Sequence, residues 1–213
     1  ERPLSFWKII LEVMREALPF VLVTSSIQII SLIDQETFQR LVPIFTTFSF
    51  EEGKELITLF GFNANKVIMI VISLAMSIST AALPLLAAHY SVNDREEVKR
   101  VIANNLGLFA YIMIPASVGM AIVSEPIYNV FYSPDPTGTY LLMVSCIMCV
   151  FLGLFVTFTY ILQSMEQHII AIKALGFTVL IKLLWQPMMI YFLGGAGPLI
   201  ASSVAYFVAT LYM

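Results

Sequence analysis

The feature that most constrains this sequence is an apolar run from Ile169 to Leu193 that contains two lysines. The run is long enough to cross a bilayer, since a helical span needs about 20 apolar residues. Lys182 lies near its middle, where a charge costs about 3 kcal/mol on insertion scales, so it should face protein or a wet cavity. At about 100° per residue, Thr178, Lys182 and Gln186 share one face. The run therefore predicts a membrane helix with one polar face.

Composition extends this prediction to the whole chain of 213 residues. The sequence is 59% hydrophobic and 12% charged, whereas a soluble domain is about 25% charged. The apolar segments are long and do not alternate, which indicates membrane helices rather than barrel strands. The net charge of -3 forms no basic patch, so no nucleic acid partner is expected. No HExxH, GxSxG or P-loop pattern occurs, so we predict neither an enzyme nor a cofactor.

Hydropathy predicts an all-α membrane protein with one bundle of six transmembrane helices over residues 1–213. Residues 1–16 are interpreted as an amphipathic lead-in at the membrane surface. The charged segment 41–64 is interpreted as a solvent loop that leaves room for one short helix, and a further loop follows the third span. The chain starts at Glu1 and stops within an apolar run, so we expect it to be a piece of a longer protein. The predicted spans are 17–38, 66–88, 101–123, 140–162, 169–193 and a sixth from 199 onward.

Two of these spans carry polar stripes at helical spacing. In the first span the stripe lies within about 60° on a helical wheel, and Asp34 lies beside it. Such a stripe on an apolar helix faces the interior of a bundle or another helix. We expect the two stripes to face a common cavity. They consist of Thr24, Gln28, Ser31 and Gln35 in the first span and of Ser73, Ser77 and Thr80 in the second.

The charge of Lys182 has two interpretations that the sequence leaves open. It forms an ion pair with Asp34, the one acidic candidate within a predicted span, or it is a cavity cation that meets an anionic substrate or tunes a coupling ion.

Orientation is predicted from the Lys and Arg residues near the span ends. Both termini of the chain are expected to be cytoplasmic, because Arg2, Lys8, Arg15, Arg95, Lys99 and Arg100 lie on one side and only Arg40, Lys54 and Lys66 on the other.

Three segments in order carry a resemblance to a known family: LIDQETF at 32–38, MIVISLAMSISTAALPLLAAHY at 69–90 and MAIVSEPIYNVFY at 120–132. A two-lysine fifth span and a Gly-rich turn follow them. Together they resemble the C-terminal lobe of the multidrug/oligosaccharidyl-lipid/polysaccharide exporter superfamily. Within it, the sequence is most similar to the MurJ-type lipid II flippases and the stage V sporulation protein B-like polysaccharide biosynthesis proteins.

The resemblance implies one lobe of a two-lobed MATE-like fold, equivalent to helices seven to twelve, whose partner is a missing N-terminal lobe. It implies a multi-pass protein of the bacterial cytoplasmic membrane, in contact with membrane lipids. By alternating access, such a protein flips an undecaprenyl-pyrophosphate-linked precursor, a lipid II-like or other lipid-linked oligosaccharide. The resemblance gives a cavity-lining role to Asp34, Lys182 and Gln186. With their neighbours, the candidate substrate cavity comprises Gln28, Asp34, Gln35, Thr178, Lys182 and Gln186.

Coupling and two other functions remain open. Some members of the superfamily are associated with sodium bound by acidic and amide groups of helices seven and eleven, but the fifth span here has Lys and Gln and no Asp or Asn. Sodium and proton coupling are therefore both retained. A multidrug and toxin extrusion antiporter would export organic cations and predicts acidic groups at mid-span. A non-transporting membrane scaffold or partner subunit predicts a flat apolar bundle.

Overall fold

The computed structural model describes residues 25–46 and 48–213, together with Trp7, Ile10, Met14 and Val21. All regular structure in these residues is helical, which confirms the predicted all-α membrane fold. Thr24 and most of the predicted lead-in over 1–16 lie outside the described residues. The helices are α1 (Ser26–Phe45), α2 (Phe50–Ile57), α3 (Asn65–Ser91), α4 (Arg95–Ile122), α5 (Ser124–Phe131), α6 (Pro136–Ser164), α7 (His168–Leu193) and α8 (Gly197–Tyr212).

Four helical stretches of the described chain are long and apolar enough to cross a membrane, as a polytopic protein requires. They are Phe50–Ser91, Arg95–Ile122, Pro136–Ser164 and His168–Tyr212. The first joins α2 to α3 through a π-helix, Thr58–Ala64, and the last contains both α7 and α8. With α1, six principal helices form the bundle.

A tight turn reverses the chain between α7 and α8. Gly194 has φ +55°, a left-handed conformation that glycine adopts without steric cost. A Cβ atom on Gly197 would lie 2.7 Å from the backbone of Met189 and Ile190. The start of α8 therefore packs directly on the end of α7, and the two helices form a hairpin.

The core of the lobe is built around α6, which is apolar on nearly all sides and packs against α3, α4 and α8. A Cβ atom on Gly153 would lie 2.9 Å from Met113 Cε and 3.4 Å from Ala75 Cβ. Such small residues let membrane helices approach closely. The Ser79 hydroxyl donates to Thr157 Oγ1 at 3.0 Å, which joins α3 to α6 through a buried polar contact.

Residues 41–64 are mostly helical, so the predicted solvent loop is wrong for most of its length, although the one short helix allowed within it is present as α2. α1 continues to Phe45, and α2 begins at Phe50. Ser49 and Glu52 form a capping box, in which the Ser49 N–H donates to Glu52 Oε2 at 2.6 Å and the Glu52 N–H donates to Ser49 Oγ at 3.3 Å. Two backbone donors at the start of the helix are thereby satisfied. The charges that suggested a loop lie on the exposed side of an amphipathic helix.

The loop predicted after the third span is also partly helical, because α5 covers Ser124–Phe131. Tyr128 fixes this short helix against the bundle, since its side chain is buried and its hydroxyl accepts a hydrogen bond from Asn63 Nδ2 at 3.2 Å. The chain approaches closely at Gly138, where a Cβ atom would lie 2.2 Å from Tyr128 Oη. Contacts distant in sequence therefore stabilise a segment that hydropathy alone does not mark.

Candidate functional site

A buried ion pair joins α1 to α7 inside the lobe. Lys182 Nζ donates to Asp34 Oδ2 at 2.5 Å. The side chain of Lys182 is fully buried, and that of Asp34 is 16% exposed. Of the two interpretations that the sequence left open for Lys182, the structure of this lobe shows the ion pair.

The two charged residues of this pair lie at the same depth in the bundle. Asp34 and Lys182 each precede the end of their helix by about three turns. The two ends lie on the same side of the lobe, because Phe48 lies 3.5 Å from the position that a Cβ atom on Gly194 would take. α1 and α7 therefore run in the same direction, and the charges lie about 16 Å below their common end. In a hydrocarbon core of about 30 Å this is close to the middle.

Burial makes each charge dependent on the other. Removing one partner of a buried ion pair leaves an uncompensated charge and typically costs about 3–5 kcal/mol. Replacing both partners by neutral side chains of similar volume is often much less harmful. The pair therefore constrains α1 against α7 only as long as both charges are present.

A small cavity of about 40 Å³ opens beside the carboxylate. It exceeds the roughly 10–15 Å³ that a water molecule requires. Asp34 Oδ1 has no hydrogen-bond partner among the described residues, so the cavity lies where a water or another donor would be needed. The polar residues that line it with Asp34 are Ser31, Gln35, Asn65, Ser202 and Tyr206.

The π-helix and α8 supply the parts of this cavity that sequence reasoning missed. Phe60 and Gly61 of the π-helix line it, and π-helical turns occur often at functional sites. Ser202 and Tyr206 reach it from α8. Their spacing of one helical turn was the available signal in the sequence, but their partners in the cavity are distant in the chain.

The polar face of α7 is buried as a unit. Thr178, Lys182 and Gln186 all have 0% exposure. The Thr178 hydroxyl donates to Ala174 O at 2.9 Å within its own helix. This hydroxyl is therefore used within the helix and does not stabilise the ammonium of Lys182. Neither polar atom of the Gln186 amide has a hydrogen-bond partner among the described residues. An unpaired buried polar group costs about 1–3 kcal/mol, which makes this amide a natural partner for water or a ligand.

The stripe on α1 divides between two environments. Ser31 and Gln35 line the cavity beside Asp34, whereas Gln28 is exposed on the outer surface of the lobe. Thr24 lies outside the described residues. The structure thus brings Asp34, Gln35 and Lys182 together and leaves Gln28 apart from them.

The stripe on α3 lies on the outside of the lobe. Its three side chains are exposed, and their hydroxyls donate to carbonyls of the same helix at 2.6–2.8 Å, which are Ser73 to Ile70 O, Ser77 to Ser73 O and Thr80 to Met76 O. None of the three lines the cavity beside Asp34. Within this lobe, then, the two stripes share no cavity, and the substrate-cavity role of the six candidate residues stays a prediction.

An all-α bundle with long apolar stretches and a charge pair at mid-depth defines a multi-pass helical membrane protein. The family model MatE matches residues 62–188, and the chain belongs to this family, part of the multidrug/oligosaccharidyl-lipid/polysaccharide exporter superfamily. No solved structure matches the chain.

Two curated relatives are flippases. The chain is 25% identical to "Lipid II flippase MurJ" of Bacillus subtilis (strain 168) over 98% of its own length and 39% of that protein. It is 21% identical to "Probable low-salt glycan biosynthesis flippase Agl15" of Haloferax volcanii over 68% of its own length and 31% of that protein. The chain therefore spans two fifths or less of the curated relatives it matches.

Proposed function

We propose that this chain is one lobe of a flippase that moves an undecaprenyl-pyrophosphate-linked saccharide precursor across the bacterial cytoplasmic membrane by alternating access. The observation that carries the proposal is the similarity to a lipid II flippase along 98% of the chain. The second relative, a glycan biosynthesis flippase, supports a lipid-linked saccharide as the class of substrate.

The chemistry of the cargo explains why a charged interior would be useful. A pyrophosphate with its sugars cannot cross hydrocarbon without a polar route, because transferring charged and polar groups into an apolar medium is very costly. Lysine is a flexible point cation that suits phosphate groups. In this lobe Asp34 neutralises Lys182. We propose that during transport the ammonium exchanges part of this contact for the phosphate of the substrate.

The outer surface of the lobe fits a second lobe. Ser73, Ser77 and Thr80 of α3 and Gln28 of α1 are exposed on helices that cross the membrane. Polar residues of membrane helices normally face other helices or a wet cavity rather than lipid. We propose that this polar surface faces the central cavity between this lobe and an N-terminal lobe of the same protein.

The second candidate is a multidrug and toxin extrusion antiporter, which the MatE match and the acidic Asp34 favour. A cation exporter needs a carboxylate that is available to its substrate. Here Lys182 already neutralises Asp34, so the flippase is the better supported function.

Growth rescue tests the proposal. The full-length protein that contains this lobe is expressed in a bacterial strain whose own lipid II flippase can be switched off. We expect it to restore growth and to lower the accumulation of lipid II in the cytoplasmic leaflet. Protein that reaches the membrane but restores neither would contradict the flippase, and raised resistance to organic cations in a strain lacking drug exporters would instead support the antiporter.

A further inference from the structure

The cavity beside Asp34 contains oxygen atoms of the kinds that hard cations bind. The carboxylate of Asp34, however, already pairs with the ammonium of Lys182. Carboxylate, amide and hydroxyl side chains line it, including Ser31, Gln35, Asn65 and Ser202. Hard cations prefer oxygen ligands of this kind. Lys182 Nζ lies 2.5 Å from Asp34 Oδ2, so the ammonium already takes one oxygen of the carboxylate and matches its charge.

The residues present do not fit a sodium ion next to Asp34. Among the described residues that line the cavity, Asp34 is the one carboxylate, and its negative charge is already matched by Lys182. A second cation at the same carboxylate would meet the ammonium within a few ångströms, and like charges at such a distance disfavour each other's charged forms. The lysine side chain is fully buried in this conformation of the lobe, so its charge is not turned into water here.

We infer that Lys182 is the resident counter-cation of Asp34 and makes this site independent of dissolved sodium. This inference rests on the proposed function, because that function is what makes the site part of a transporter. Its test, however, does not require knowledge of the lipid carried. A tethered ammonium cannot dissociate into solvent, whereas a coupling ion must. Removing the ammonium would leave an unpaired carboxylate in an oxygen-lined cavity, so a variant without it should acquire a response to sodium that the natural protein lacks.

The test compares salts on the purified full-length protein. Unfolding temperature is measured in sodium, potassium and choline chloride at equal ionic strength, and radioactive sodium binding is measured alongside. The natural protein should unfold at the same temperature in all three salts. Lys182→Gln should be less stable in choline chloride and regain stability specifically in sodium chloride. At a sodium concentration that saturates Lys182→Gln, the natural protein should bind at least about tenfold less radioactive sodium, a difference that a direct assay resolves.

Three control variants assign the response to the site. Lys173→Gln removes the other lysine of α7, which is exposed, and should behave as the natural protein. The double variant Asp34→Asn/Lys182→Gln should lose the sodium response, because no carboxylate remains. Lys182→Arg keeps a cation at the position and should unfold at the same temperature in all three salts.

Several results would overturn the inference. Sodium bound by the natural protein and lost in Asp34→Asn would do so, as would a folded Lys182→Gln that ignores sodium. If Lys182→Gln does not fold in any salt, radioactive sodium binding to the natural protein and to Lys182→Arg decides, since binding to either would contradict the inference and its lack in both would support it. Failure of growth rescue with an intact sodium result would refute the proposed flippase alone.

Discussion

Lys182 and Asp34 are 148 residues apart in the sequence, and Nζ of the first donates to Oδ2 of the second at 2.5 Å. The contact joins the middle of α7 to the middle of α1, two helices that run in the same direction. Because the lysine is fully buried and the carboxylate borders a small polar cavity, the pair is both a structural restraint and the most polar point in the interior of the lobe.

The first prediction concerns the stability of this pair. Lys182→Met leaves the carboxylate without its partner and should destabilise the full-length protein by about 3–5 kcal/mol. Adding Asp34→Asn should recover most of that loss, since the remaining charge is then removed. Thermal unfolding in detergent measures both variants, with Lys173→Met on the exposed side of α7 as the matched control. A Lys182→Met protein as stable as the control would show that the pair does not restrain α1.

The second prediction concerns close approach at the start of α6. Gly138→Ala places a Cβ atom 2.2 Å from Tyr128 Oη, so the tyrosine must move and its contact with Asn63 is lost. Overpacking of this kind costs about 1–3 kcal/mol. Gly107→Ala is the control, because nothing lies within 4 Å of its added Cβ and alanine favours a helix by up to about 1 kcal/mol. Equal unfolding temperatures for the two variants would contradict the packing at Tyr128.

The third prediction concerns orientation in the membrane. Glu51 and Glu96 are matched positions, since each is exposed and each pairs with a lysine three residues later at 3.1 Å. An impermeant maleimide added to intact cells should label Glu51→Cys and not Glu96→Cys, because the lysine and arginine distribution places residue 96 in the cytoplasm. The natural cysteines, Cys146 and Cys149, are buried. Labelling of residue 96 alone would reverse the predicted topology.

Helical periodicity and hydropathy predicted much of this lobe. A spacing of four residues placed Thr178, Lys182 and Gln186 on one face, and all three are buried together. The cost of a charge at mid-membrane leaves two interpretations of Lys182, and the ion pair with Asp34 is the one that the structure shows. Both results depend only on local geometry and on the bilayer as solvent.

Contacts between distant segments account for what the sequence did not predict. The sequence allows one short helix within 41–64, but α1 extends into this segment and a π-helix joins α2 to α3. α5 depends on Tyr128 packing at Gly138. The cavity includes Tyr206 because the turn at Gly194 folds α8 back along α7. Gln28 and Gln35 share a stripe on α1, yet packing of neighbouring helices leaves Gln35 half-buried and Gln28 exposed.

Growth rescue by a charge reversal tests the central claim, that Lys182 serves a flippase both as the partner of Asp34 and as a cation for the substrate. Lys182→Glu is expressed in the full-length protein beside the exchanged pair Asp34→Lys/Lys182→Glu, and the amount in the membrane is checked for each. We expect Lys182→Glu to fail, because it places two acids together and repels a pyrophosphate. The exchanged pair should regain normal amounts in the membrane but should not restore growth. Full rescue by well-expressed Lys182→Glu would remove Lys182 from the mechanism, and full rescue by the exchanged pair alone would reduce it to a structural ion pair.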